Sequence, residues 1–153
     1  MQRCPVCKQG SLRDASFEHT LELADVEFVG TVDGTECDVC GESFVSPDEL
    51  QRFELLVADA VARKGLISGE TFRFLRKALG LRATDLALRL GVTPETISRW
   101  EQGHRDVSRA AFAVLGNLVA DARTGSEETR RRLDAMMGPS PKLPKKWRLD
   151  DVA

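Results

Sequence analysis

Four cysteines lie within the first 40 residues, in two pairs: Cys4-Pro5-Val6-Cys7 and Cys37-Asp38-Val39-Cys40. A two-residue spacer lets the chain turn so that both sulfurs aim at one point. Two such knuckles brought together make a tetrahedral thiolate cage, the surroundings a structural zinc ion prefers. The expectation is one Zn2+ per chain on Cys4, Cys7, Cys37 and Cys40. Four thiolates close the shell, whereas a catalytic zinc keeps an open position and usually takes His or carboxylate ligands. A dithiol redox switch and unligated buried cysteines are the competing readings. A thioredoxin-like site, however, needs one pair on a strand-to-helix turn, and the chain has no β-α-β pattern.

A second set of residues suits nucleic acid. In Val92-Thr93-Pro94-Glu95-Thr96-Ile97-Ser98-Arg99-Trp100-Glu101-Gln102-Gly103, Thr93 reads as a helix cap and Pro94 as the first helical residue. Ile97 and Trp100, three apart, point inward, which leaves Glu95, Thr96 and Arg99 on the outer side. Arg reads guanine bidentately, Glu accepts from cytosine, and Thr touches base edges or a thymine methyl. Ser98, His104 and Arg105 are placed for phosphates, which position a protein without conveying sequence. Taken singly, each is an ordinary solvated residue; the surrounding unit gives them meaning.

The elements that must hold these groups follow from periodicity. The 29 residues between the cysteine pairs exceed the usual zinc-site spacer of roughly 15–20, so something must fold them back. Phe17, His19, Leu21 and Leu23 alternate at period two, and Val26, Phe28, Gly30 and Val32 alternate on the opposite parity. A turn at Ala24-Asp25 would pair Leu23 with Val26 and Leu21 with Phe28 on one face of an antiparallel hairpin. His19, on that apolar face, reads as a packed residue rather than a ligand. A module this small needs metal or cross-links to fold.

Ser46-Pro47-Asp48-Glu49 reads as a helix start with Ser46 as cap and Glu49 completing a capping box. Leu50, Phe53, Leu56, Val57 and Val61 recur at helical spacing up to Gly65. Helices then follow over 70–79 and 83–90, from Pro94 within the stretch that ends at Gly103, and over about 108–122, with breaks at Gly80 and Gly91. Ala87 permits close approach and Gly91 makes the tight turn of a helix-turn-helix. After Thr124-Gly125-Ser126 comes a short charged helix candidate that contains Arg130-Arg131-Arg132 and ends near Met137, and a Pro- and Lys-rich stretch follows it, a basic arm or a plain terminus.

The resulting organisation is a zinc-binding domain at 1–45, a connecting helix at 46–67, a helix-turn-helix domain at 68–123 and a basic, partly disordered tail at 124–153. The fold class is mainly α with a small β module: a zinc-bound β-hairpin domain and a five-helix DNA-binding domain. Charge agrees with this division. Residues 1–68 hold 6 Lys+Arg against 13 Asp+Glu, and residues 69–153 hold 16 against 11, so only the back half attracts nucleic acid. No run approaches the ~18 apolar residues of a membrane span, and the start lacks a signal peptide's apolar core. A cytoplasmic chain with reduced thiols is expected, and it is not expected to be an enzyme. It has 2 His and no Tyr, and no nucleophile sits near a base in a recognisable motif.

Ile97-Ser98-Arg99-Trp100-Glu101-Gln102-Gly103 resembles the end of the recognition helix in the Cro/phage-repressor-like (XRE) family. The cysteine knuckles, with Cys40-Gly41 ahead of such a domain, are similar to YgiT-type zinc-finger/helix-turn-helix proteins, which include MqsA-like antitoxins. This resemblance spans about residues 4–120. It implies a structural metal on the four cysteines, a toxin bound by the N-terminal domain, and a homodimer repressing its own operon from double-stranded operator DNA. Base reading falls on Glu95 and Arg99. The chain departs from the pattern in two places. MqsA-like recognition helices have Asn where Glu95 stands, and the usual Thr-Gln at the start of the preceding helix is Arg82-Ala83, where Arg82 would supply the backbone contact. Without that resemblance, the chain reads as a stand-alone zinc-containing regulator or as a thiol-based switch.

Overall fold

The computed structural model describes residues 2–151. Its first unit is a three-stranded antiparallel sheet: β1 (Leu12–Leu23), β2 (Val26–Cys37) and the short β3 (Ser43–Val45), with β2 in the middle. Leu23 pairs with Val26 and Leu21 with Phe28, the register expected from alternation. The two-residue turn puts Ala24 (φ 51) and Asp25 (φ 59) in the left-handed region. A primed hairpin turn requires this and normally assigns it to Asn or Gly. A distant group helps to hold it, since the Ala24 N–H donates to Glu70 Oε1 at 3.1 Å.

Six helices follow: α1 (Pro47–Lys64), α2 (Gly69–Ala78), α3 (Ala83–Leu90), α4 (Pro94–Glu101), α5 (Arg109–Thr124) and α6 (Glu128–Ala135). Their ends have local causes. Ser46 Oγ caps α1 with Pro47 at its first position, and Gly65 at φ 67 stops it. The Glu49 carboxylate does not complete the capping box; it bonds Arg52 Nη1 at 2.5 Å. The reciprocal box occurs at α2 instead. There Ser68 Oγ accepts from the Thr71 N–H and Thr71 Oγ1 from the Ser68 N–H, at 3.1 and 2.9 Å.

One apolar cluster joins both units. Leu23 and Val32 of the hairpin meet Phe53 and Val57 of α1, which continue into Phe72, Leu75, Leu86, Ile97, Trp100, Leu115 and Val119. Each such fully buried side chain contributes roughly 1.5–3 kcal/mol over an exposed one. Helix α1 is buried on two sides, against β2 and against α5. Leu56 is consequently 44% exposed while Ala58 and Asp59 are buried. The Asp59 carboxylate is held by Arg63 Nε at 2.9 Å and by Arg123 of α5. Residues 68–123 hold the four helices α2 to α5, and α6, within the 124–153 tail, packs on α5 and α3. Asp121 caps it from α5, accepting the Thr129 N–H at 2.7 Å.

Candidate metal centre and nucleic-acid interface

The hairpin brings the two knuckles together. Cys4 Sγ lies 3.8 Å from Cys40 Sγ, and Cys7 Sγ lies 3.7 Å from Cys37 Sγ. All four sulfurs fall within 4.8 Å of one another. Metal–sulfur bonds near 2.3 Å in a tetrahedron place sulfurs roughly 3.8 Å apart, so the four cysteines could hold a metal ion of that size and preference.

Both knuckles use the same turn. The residue after each second cysteine, Lys8 (φ 59) and Gly41 (φ 70), is left-handed. Each donates its N–H to the carbonyl of the first cysteine, Lys8 to Cys4 and Gly41 to Cys37, both at 3.0 Å. Gly10 lies against the cage, its N–H donating to Cys7 Sγ at 3.4 Å. A Cβ there would strike Cys37 Sγ. Asp38 locks the second knuckle to the start of β1, accepting from the Ser11 N–H at 2.8 Å and from Arg13 at 3.2 Å.

Crowding splits the thiols. The N–H groups of Gly10 and Gln9 pull Cys7 down to about 6. At Cys40 the Glu42 N–H also favours the thiolate, but burial and the neighbouring Cys37, Cys4 and Cys7 outweigh it and push the thiol up to about 12. Were all four ionised, thiolates this close would need a cation among them. His19 takes no part; its ring stands edge-on to Phe53, centroids 5.0 Å apart.

The second site is built on α3 and α4. Gly91 at φ 65 ends α3, and Thr93 caps α4, its Oγ1 accepting from the Thr96 N–H at 3.2 Å. Ile97 and Trp100 are buried, with Trp100 edge-on to Phe72 at 5.5 Å. Glu95 and Arg99 are exposed on the opposite side. Among the described residues no ion pair engages either of them.

The other residues singled out in the sequence differ in how free they are. Thr96 is half-buried, with its hydroxyl 3.0 Å from that of Thr93. Ser98 is half-buried and accepts from Gln102 Nε2 at 3.1 Å. His104 and Arg105 are exposed just beyond α4, where their N–H groups bond the Arg99 carbonyl at 2.9 and 3.2 Å. Arg82 opens α3, is exposed, and pairs with Asp85 at 3.0 Å.

Three supports were not singled out in the sequence. Arg76 of α2 grips Glu101 at the end of α4. Gly69 lets the start of α2 abut the Trp100 and Glu101 carbonyls, where a Cβ would collide. Arg89 of α3 holds Asp134 of α6 at 3.0 Å. None of the three leaves a local pattern in the sequence.

Residues 72–112 match the family model described as helix-turn-helix, of the XRE type. That stretch runs from within α2 through α3 and α4 to the start of α5. The chain therefore carries a DNA-binding helix-turn-helix domain of the kind found in transcription regulators. No curated protein matches the chain. No helix of the described residues is long and apolar enough to cross a membrane.

Proposed function

We propose that this protein is a sequence-specific transcriptional repressor that binds double-stranded operator DNA as a homodimer, in the cytoplasm and with no catalytic role of its own. One observation carries this reading. Helix α4 is pinned by Ile97 and Trp100 while Glu95 and Arg99 stand exposed on its outer side, outside any ion pair among the described residues. An arginine that breaks no existing ion pair is available for guanine at low cost. His104, Arg105 and Arg82 flank it as phosphate contacts, with Thr93, Thr96 and Ser98 at the edges of the same face.

The cation suited to the four cysteines is zinc, one per chain, contributing folding free energy rather than chemistry. The cysteine knuckles ahead of an XRE domain further support an antitoxin role, in which the N-terminal module holds a toxin and the dimer represses the shared operon.

Selection of bound sequences from random double-stranded DNA tests the central claim. A two-half-site motif is expected with the native chain, and loss of one preferred base pair per half-site with Arg99→Ala. Recovery of no enriched sequence overturns the reading. For the antitoxin role, the chain should form a complex with the product of its neighbouring gene and relieve that product's toxicity. Failure of both overturns that role and leaves the repressor standing.

A further inference from the structure

The sheet stops at β1. Because β2 lies between β1 and β3, the far side of β1 has little company: a bridge from Ser11 to Arg3 and the Leu12 N–H donating to Gln2 at 2.9 Å. A two-residue hairpin turn makes Leu23 and Val26 a hydrogen-bonded pair, and such pairs alternate along an antiparallel ladder. The odd residues of β1 therefore bond β2, and the even ones turn their N–H and C=O groups to the open side. The Leu12 N–H, which leaves the ladder for Gln2, obeys this parity. From Asp14 through Ser16, Glu18 and Thr20 to Glu22, the outward backbone groups meet no strand of the sheet.

A long open edge invites another strand, and folded proteins usually guard it with lysine, proline or a bulge. Here the guards are acids. Asp14, Glu18 and Glu22 share the exposed face with Glu27 and Asp33 of β2, and Glu22 sits directly opposite Glu27. Like charges in that position cost stability. No lysine or arginine lies on this face between Asp14 and Asp33. The apolar side chains, Phe17, Leu21 and Phe28, are on the other face and pack against the core.

The sign of the charge selects the occupant. The same edge of a second copy would set acid against acid, and nucleic acid would be repelled. A strand carrying Lys or Arg at alternate positions would complement both the backbone and the charge. We propose that the open edge of β1 takes up a strand from a basic protein partner. This deepens the reading of the N-terminal module as a protein-binding unit and names the surface that does it.

The test uses the full chain and a short peptide in which lysine alternates with threonine, with a glutamate-for-lysine peptide as control. Binding of the lysine peptide is expected, with slowed amide exchange at Asp14, Ser16, Glu18, Thr20 and Glu22. Thr20→Pro removes an outward N–H without touching the β2 ladder and should weaken binding by roughly tenfold or more, while Thr20→Val retains it. Should Thr20→Pro fail to fold, the double variant Glu18→Lys/Glu22→Lys decides by shifting preference toward the glutamate peptide. Equal binding of both peptides by the native chain, or binding without protection of those amides, overturns the proposal. If the neighbouring gene product still co-purifies with a folded Thr20→Pro chain, the edge is wrong and the antitoxin reading survives. If that product never binds the native chain while the lysine peptide does, the reverse holds.

Discussion

Arg76 closes on Glu101 with two bonds, Nε to Oε1 at 2.6 Å and Nη2 to Oε2 at 3.0 Å, and its Nη1 donates to the Leu81 carbonyl at 2.8 Å. One guanidinium thus ties together α2, the turn into α3 and the end of α4. Both side chains are nearly out of water, at 12% and 11% exposure. Removing one partner strands the other charge in a poorly solvated place, a loss on the order of 3–5 kcal/mol for a fully buried pair. Slightly less is expected from Arg76→Ala or Glu101→Ala in urea unfolding. Arg76→Met combined with Glu101→Leu should recover much of the loss, because apolar replacement of both partners is often neutral. If the double variant is as unstable as the singles combined, the stranded charge is not the cause.

Metal removal should act along the hairpin as a gradient. One end of the sheet is held by the cysteine cage. The other is held by Leu23 and Val32 in the core, and by Phe53 against Gly30, where a Cβ would come within 2.7 Å of the ring. Chelation is expected to speed amide exchange at Ser11, Cys37 and the knuckles while Leu21 and Phe28 stay protected. Gly10→Ala should mimic this in part and weaken metal binding by about ten- to a hundredfold, the equivalent of the 1–3 kcal/mol typical of overpacking. Uniform loss of protection along β1 and β2 would show that the module has no hold on the helices.

The α6 cap should respond to acid. The Thr129 N–H, with the Thr129 and Ser126 side chains adding to it, holds the Asp121 carboxyl below the usual range. A folded pKa that is depressed contributes stability above the unfolded value of about 3.9, and this is lost as pH falls through the folded value. Docking of α6 should therefore be intact at neutral pH and loosen only below about pH 4. Asp121→Ala should loosen it at every pH. Amide exchange at Thr129 to Leu133 reads this out. A native chain whose α6 loosens near pH 6 would point to another group.

Most of the hairpin was legible because its parity flips once, at Ala24-Asp25, and only one register then buries both apolar sets. The helices were legible because Ser46, Gly65, Gly91, Thr93 and Pro94 mark their ends. β3 was not: three residues, Ser43–Val45, carry no period and pair only because Gly34 lets Phe44 approach. Asp59 looks like a solvated charge on α1 until α5 brings Arg123 onto it. Arg76 and Glu101 are 25 residues apart, a separation at which no local pattern reveals a partner. At the candidate sites, the cysteines and the outward face of α4 could be read from spacing. Gly10 and Gly69, which keep space open for sulfur and for backbone, could not.

Reading a DNA sequence and holding its backbone fall to different residues of this domain. Glu95 and Arg99 lie four apart and so share one face of α4, and the two α4 helices of a dimer should enter successive major grooves about 34–36 Å apart. Arg99→Ala should cost about 1–3 kcal/mol on the selected site and little on scrambled DNA. Arg105→Ala should weaken both DNAs alike and flatten the salt dependence by about one unit of slope. Arg82→Ala should do the same but less, because Arg82 must first leave Asp85, 3.0 Å away, before it can meet a phosphate. Affinities for both DNAs at several salt concentrations decide the matter. An Arg99→Ala chain that weakens equally on both DNAs, with a flattened salt slope, would demote Arg99 to a phosphate contact and shift the search for the reader to Glu95 and Thr96.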